Sequence, residues 1–159
     1  MAPQAGSPES GPSRVRSHKA LGEVADSEWA VFLAKLEAAE YEFAQGRPTL
    51  FKALWSHSDD VSICGAFGGV ESGWDKVASR LDWASSQFSE GTRSREEIRS
   101  AVGAEFAYLV QTEHIRFRVP GRTEESTLDL RVTMVFRREE DGWRIVHRQA
   151  DSQKSTELP

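Results

Sequence analysis

Cysteine, clustered basic charge and long apolar runs are all scarce in this sequence of 159 residues. The single cysteine, Cys64, excludes a disulfide within the chain, and a reducing compartment such as the cytoplasm is the simplest expectation. The 20 Lys and Arg residues are scattered and outnumbered by 25 acidic residues, which argues against a nucleic-acid-binding protein because such proteins need a basic face. No apolar run approaches the roughly 20 residues of a membrane-spanning helix, so we expect no membrane insertion.

Large apolar side chains are also rare at the two ends of the chain. Residues 1–25 are rich in Pro, Gly, Ser and Arg, and they lack the apolar run of a signal peptide. Such a segment buries too little surface to offset the entropy lost on ordering. We therefore predict a disordered tail over 1–25, which could alternatively be a partner-binding arm. One domain is expected over 26–151 and a flexible tail over 152–159.

The clearest pattern lies in residues 127–151, which predict two antiparallel strands joined by an acidic turn that ends at Gly142. Side chains alternate along a strand, so one face of the first strand carries Leu128, Leu130, Val132, Met134 and Phe136. The same alternation predicts that one face of the second strand carries Trp143, Ile145, His147, Gln149 and Asp151. Two strands are not stable alone, so the rest of the chain should cover this hairpin.

Three helices are predicted upstream of the strands. A first amphipathic helix should begin at the N-cap Ser27 and end at Gly46, with Glu40 as the one polar residue in its apolar stripe. A short helix should follow Pro48. The third should begin with a capping box at Ser72 and carry the stripe Trp74, Val77, Ala78, Leu81, Ala84 and Phe88.

The order of elements predicts an α+β fold. A short strand over 61–64 separates the second and third helices, and strands from Arg95 to Val102 and from Ala104 to Val119 precede the hairpin. Helices segregated from a run of strands are typical of α+β domains. We expect a cone-shaped fold in which the three helices pack on a strongly curved antiparallel or mixed sheet.

Three short motifs resemble the nuclear transport factor 2-like superfamily and, within it, the SnoaL-like branch. They are Leu54-Trp55 before Asp59-Asp60-Val61, the strand segment Arg131-Val132-Thr133, and the string Gly142-Trp143-Arg144-Ile145-Val146-His147. The resemblance covers residues 28–151. It implies a cone with a small-molecule pocket, as in polyketide cyclases, dehydratases, epoxide hydrolases and ketosteroid isomerases, or a non-catalytic binding or assembly domain.

The resemblance also has departures. Gln149 stands where members of the branch commonly carry a second histidine. Gly65 occupies the position that corresponds to the base of ketosteroid isomerases, and Ala39 the position that corresponds to their tyrosine. A steroid-isomerase mechanism is therefore disfavoured. Fold alone does not give the reaction.

Four residues are candidates for catalysis. His147 could act as a general acid or base, or be a hydrogen-bonded structural histidine. Arg131 lies between apolar neighbours and could stabilise an oxyanion, or form an internal ion pair. Asp60 and Asp151 could orient the histidine, although a carboxylate after a helix is also typical of a turn.

Aromatic and polar side chains supply candidates for a substrate pocket. These are Trp55, Phe67, Trp74, Tyr108 and His114, of which the first three could equally be core and the last two could face a dimer interface. Trp83 falls on the polar face of the third helix, which suggests an interface or a pocket rim. No cofactor and no metal site are predicted.

Two functions remain open. The first is a cofactor-independent lyase, isomerase or cyclase that acts by acid/base chemistry on an apolar or aromatic substrate in the pocket. The second is a non-catalytic ligand-binding or assembly domain, and a homodimer is expected under either. A cavity that reaches Arg131 and His147 would favour the enzyme.

Overall fold

The computed structural model describes the backbone of residues 13–154 and the side chains of residues 27–154. The helices are α1 (Ser13–Ala44), α2 (Thr49–Ala53) and α3 (Trp74–Ser85). The strands are β1 (Ser62–Cys64), β2 (Val70–Ser72), β3 (Ser89–Val102), β4 (Phe106–Arg118), β5 (Glu125–Glu139) and β6 (Gly142–Ser152). Residues 1–12 and 155–159 of the predicted tails lie outside the described residues, and the division into tails and one domain stays a prediction.

The strands form one open sheet in the order β2-β1-β6-β5-β4-β3. Strand β1 pairs with β6 in parallel and the other pairs are antiparallel, so the sheet is mixed. The three helices pack against this sheet, and the α+β prediction is confirmed. No helix among the described residues has both the length and the apolar character needed to cross a bilayer.

Several predicted boundaries are wrong. Helix α1 begins at Ser13 rather than near Ser27, and α3 follows Gly73 without a side-chain cap. Strand β2 was not predicted because three residues are too short to show alternation, and it forms only by pairing with β1. Strand β3 begins at Ser89 rather than Arg95, because pairing with β4 holds a polar segment extended.

The inner face of the sheet carries the core. From β4, this face presents Ala107, Leu109, Ile115 and Phe117, and from β5 it presents Leu130, Val132, Met134 and Phe136. Helix α1 covers part of it through Trp29, whose ring lies edge-on to Phe136 at 5.0 Å and to Trp143 at 5.3 Å between centroids. Aromatic pairs in this geometry add to the stability gained from burial alone.

A β-bulge in β6 reverses the predicted facing of its second half. Phe136 pairs with Ile145, but the preceding residue Val135 pairs with His147, so Val146 is an extra residue in β6. A bulge of this kind moves every later side chain to the opposite face. The prediction that His147, Gln149 and Asp151 continue the face of Trp143 and Ile145 is therefore wrong, and Arg148 points to the inner face instead.

The end of α1 packs directly on the start of β3. A Cβ atom added at Gly91 would lie 2.3 Å from the backbone oxygen of Ala44 and 2.8 Å from its Cβ. Only glycine allows this close approach. The contact brings Arg93, two residues further along β3, beside Glu40 on the last turns of α1.

We predict that Gly91→Ala lowers the free energy of unfolding by about 1–3 kcal/mol, because the methyl group forces α1 and β3 apart. Urea denaturation measures the change. The control is Thr92→Ala at the next, exposed position, which should change stability by less than about 0.5 kcal/mol. Equal effects of the two substitutions would show that the helix and strand are not in tight contact.

Candidate active site

A cavity of about 80 Å³ lies between the helices and the inner face of the sheet. A cavity needs about 10–15 Å³ to hold one water molecule, so this cavity holds several waters or a small organic group. Most of its wall is apolar and includes the rings of Phe43, Phe51, Phe67 and Phe88. Four charged residues form one part of the wall, namely Glu40, Arg93, Glu113 and Arg148. This combination of an apolar wall with a few polar groups is typical of small-molecule sites.

Glu113 is the centre of the charged cluster and its side chain is 0% exposed. Arg148 donates two hydrogen bonds to it, from Nη2 to Oε2 at 2.9 Å and from Nη1 to Oε1 at 3.2 Å. Arg93 donates from Nη2 to Oε1 at 2.7 Å, and Gln111 donates from Nε2 to the same oxygen at 2.7 Å. Burial alone would raise the pKa of Glu113, but the two guanidinium groups outweigh it and lower that pKa below its usual range. Glu113 therefore stays ionised.

Glu40 has a different environment in the same cluster. Its Oε2 lies 2.8 Å from Nη1 of Arg93, but its buried Oε1 has no hydrogen-bond partner among the described residues. Burial raises the pKa of Glu40 to about 7, against the lowering effect of Arg93. A carboxyl group that titrates near neutral pH can both accept and donate a proton.

The two buried carboxyl groups therefore differ in protonation. Glu113 is held ionised by two arginines, whereas Glu40 changes its protonation state near neutral pH. Environments that push two pKa values apart are characteristic of acid/base sites. No group of three or more metal-ligating side chains gathers anywhere in residues 27–154.

The four predicted catalytic residues do not line this cavity. His147 lies on the outer face of the sheet, where its Nδ1 is 2.7 Å from Oγ of Ser62. Arg131 and Asp151 form an exposed cross-strand pair on that face, with side chains 66% and 48% exposed. Asp60 binds Arg137 at 2.6 Å at the surface, and the hydrogen bonds from Arg137 and Ser58 lower its pKa to about 2.

The predicted pocket residues are also dispersed. Phe67 lines the cavity, whereas Trp55 is buried in the core. Tyr108 and His114 lie exposed on the outer face of β4, so neither lines the cavity. Trp74 stacks on His57, with ring centroids 4.0 Å apart.

Trp83 lies beside the cavity opening. Its ring packs edge-on against Phe67 at 5.6 Å between centroids, and the guanidinium of Arg80 lies 4.4 Å from its centroid. Phe67 and Arg80 both line the cavity and both are partly exposed, so they mark its mouth. The assignment of Trp83 to an interface or a pocket rim stays a prediction.

Sequence reasoning missed all four charged residues of the cluster as functional candidates. Glu113, together with Gln111, interrupts the apolar face of β4, and Glu40 interrupts the apolar stripe of α1, so both were visible as polar exceptions. The predicted strand began at Arg95, so Arg93 lay outside it and had no predicted facing. The facing of Arg148 depends on the bulge at Val146, for which the alternation gave no signal.

Comparisons with known proteins agree with this architecture. A family model described as the SnoaL-like domain matches residues 33–151. A candidate dehydratase of the nuclear transport factor 2-like family from Streptomyces avermitilis superposes with a TM-score of 0.68 at 19% identity, covering 81% of this chain and 96% of that one. No curated protein sequence matches.

Two further solved structures share the fold. A candidate association domain of calcium/calmodulin-dependent protein kinase type II from Thiobacillus denitrificans has a TM-score of 0.64 and 20% identity, covering 76% of this chain and 94% of that one. A ketosteroid isomerase-like protein from Erwinia carotovora atroseptica has a TM-score of 0.64 and 14% identity, with 79% and 96% covered. At these identities the likeness establishes the fold alone.

We predict that Arg148→Met lowers the free energy of unfolding by about 3 kcal/mol, because Glu113 loses a partner while it stays buried. Arg131→Met is the matched control on the outer face, where an exposed pair contributes at most about 1 kcal/mol. Chemical denaturation of both variants measures the difference. If Arg131→Met were the more destabilising change, the assignment of faces along β6 would be wrong.

Proposed function

Since the chain belongs to the SnoaL-like domain family, we propose that it is a proton-transfer enzyme, an isomerase or a dehydratase, acting on a small apolar molecule in the cavity. Structural neighbours described as a candidate dehydratase and as ketosteroid isomerase-like support this class. The observation that carries the proposal is Glu40, a buried carboxyl group with one unpartnered oxygen on the wall of an apolar cavity.

The two reaction classes share a first step. The Glu40 carboxylate removes a proton from the carbon next to a carbonyl group, and the C–H electrons move to give an enolate. The cluster of Arg93, Arg148 and Glu113 has two positive charges and one negative charge, so it favours the negative oxygen. No cofactor is needed for this step.

The second step distinguishes an isomerase from a dehydratase. In an isomerisation, the substrate also has a double bond between its β and γ carbons, so the enolate is conjugated with it. Protonated Glu40 gives the proton to the γ carbon, and the double bond moves to the α and β carbons. In a dehydration, the enolate expels a hydroxyl group from the neighbouring carbon, and Glu40 supplies the proton that converts it to water. In both cases Glu40 ends the cycle as a carboxylate.

We predict that Glu40→Gln slows deuterium incorporation from D₂O into small aryl and alkyl ketones by about 100-fold or more, because the general base is removed. Proton NMR follows the exchange. In the wild-type protein the rate should rise with pH through about 7, where Glu40 ionises. The matched control is Glu37→Gln, one turn earlier on α1 and exposed, which should retain the wild-type rate.

A second measurement on Glu40→Gln does not depend on the substrate. The pKa of Glu40 is raised from 4.5 to about 7 in the folded protein, so its contribution to stability is complete below about 4.5 and is lost as the pH rises through 7. Relative to Glu40→Gln, the wild-type protein should lose about 3 kcal/mol of stability over this range. A constant difference between the two proteins, together with undiminished exchange by Glu40→Gln, would refute the role of Glu40.

The outer face of the sheet favours a second candidate function, in which the domain assembles as a homodimer. Phe106 and Tyr108 are adjacent on this face of the sheet and are 53% and 42% exposed. The ion pair of Arg131 with Asp151 lies further along the same face, so each copy offers both signs of charge beside the apolar part. Dimerisation through this face is compatible with catalysis in the cavity, which opens elsewhere.

We predict that the wild-type protein sediments as a dimer of the 17.8 kDa chain and that Tyr108→Glu makes it a monomer, because a carboxylate would be buried in the interface. Analytical ultracentrifugation measures the mass. The matched control is Tyr41→Glu on the exposed surface of α1, which should leave the dimer intact. A monomeric wild-type protein at about 50 μM would exclude this interface.

A further inference from the structure

The mouth of the cavity carries an arginine that the proposed reaction does not use. Arg80, on α3, lines the cavity beside Phe67 and the loop 65–69. One of its Nη2 hydrogens is donated to the backbone oxygen of Gly68. Its guanidinium also lies over the ring of Trp83, a cation–π contact that fixes its position.

Arg80 differs from the other cavity arginines because no carboxylate in the described part of the chain neutralises its charge. Arg93 and Arg148 share the carboxylate of Glu113, and Arg93 also contacts Glu40. Arg80 forms no ion pair with any acidic side chain of residues 27–154. A guanidinium has five N–H donors, so most of those on Arg80 remain available to a bound anion.

The backbone of the loop packs closely against this guanidinium. A Cβ atom at Gly69 would lie 3.3 Å from Nη2 of Arg80, and one at Gly65 would lie 3.4 Å from its Nε. Gly69 also has a φ of +80°, a conformation that other residues rarely adopt. Glycines at both positions allow the loop to lie against the guanidinium without a side chain that covers it.

From these contacts we infer the substrate class. The ligand is a small carboxylate with an apolar or aromatic body, whose body enters the cavity among the phenylalanine rings while its carboxylate stays at the mouth on Arg80. The uncharged reactive end of the molecule then lies toward Glu40. This inference rests on the proposed function for the reactive end, but the recognition of the anion by Arg80 is tested independently of it.

The experiment compares acids with alcohols of the same length by isothermal titration calorimetry. Phenylacetate, phenylpropionate and phenylbutyrate are each paired with the corresponding primary alcohol. The wild-type protein should bind at least one acid about tenfold or more tightly than its alcohol, because a charge-assisted hydrogen bond is available only to the acid. This preference should fall as salt concentration rises, because the mouth is exposed to solvent.

Arg80→Met keeps the aliphatic stem and removes the charge, so it should abolish the preference for the acid and leave alcohol binding unchanged. Arg122→Met, at the exposed turn between β4 and β5, is the matched control and should keep the preference. Equal binding of acids and alcohols by the wild-type protein would overturn the inference. Persistence of the preference in Arg80→Met would also overturn it, since the anion would then bind at Arg93 and Arg148.

Glu40→Gln separates this inference from the proposed function. It should bind the acids with the wild-type preference while it loses the proton exchange described above. Loss of the preference in Glu40→Gln would contradict the placement of the anion at the mouth. If neither acids nor alcohols bind the wild-type protein saturably, both the substrate class and the use of the cavity as an active site are wrong.

Discussion

The site depends on one buried carboxylate, Glu113. An isolated ionised carboxylate in a protein interior is very unfavourable, so Glu113 requires the guanidinium groups of Arg93 and Arg148. Arg93 lies on β3 and Arg148 on β6. These two strands lie on opposite sides of β4, the strand that carries Glu113. The ion pairs therefore connect β3, β4 and β6, and the same three side chains supply charges to the cavity wall. Glu113 also influences the environment of Glu40, because Arg93 contacts both carboxyl groups.

The bulge at Val146 determines which residue of β6 reaches this cluster. A regular strand would point His147 inward and Arg148 to the outer surface. With one extra residue, Arg148 lies on the inner face opposite Met134, while His147 bonds to Ser62 on the outer face. A local irregularity of one residue therefore places the permanent positive charge of Arg148, rather than the imidazole of His147, in the cavity wall. Bulges that redirect a side chain in this way are common next to active sites.

The fold was predictable because its signals are local and repeated. The stripe of α3, the alternation along β4 and the hairpin at Gly142 each follow a period that the sequence displays directly. The site was less predictable because it combines single residues from α1, β3, β4 and β6 that share no local pattern. Glu40 and Glu113 were visible as polar exceptions on apolar faces, but their burial depends on what packs opposite them. Arg148 could not be placed, since a bulge is decided by the pairing of strands rather than by the alternation within one.

The parallel pairing of β1 with β6 has a consequence for folding. The meander from β3 to β6 joins neighbours in sequence, whereas Ser62 and His147 are 85 residues apart when they bond across β1 and β6. Contacts between distant residues lose more chain entropy and tend to form late. In this pair Ile63 lies directly opposite Arg148, and both line the cavity. The cavity is thus complete only after this long-range pairing has closed, and a ligand that binds there stabilises that pairing.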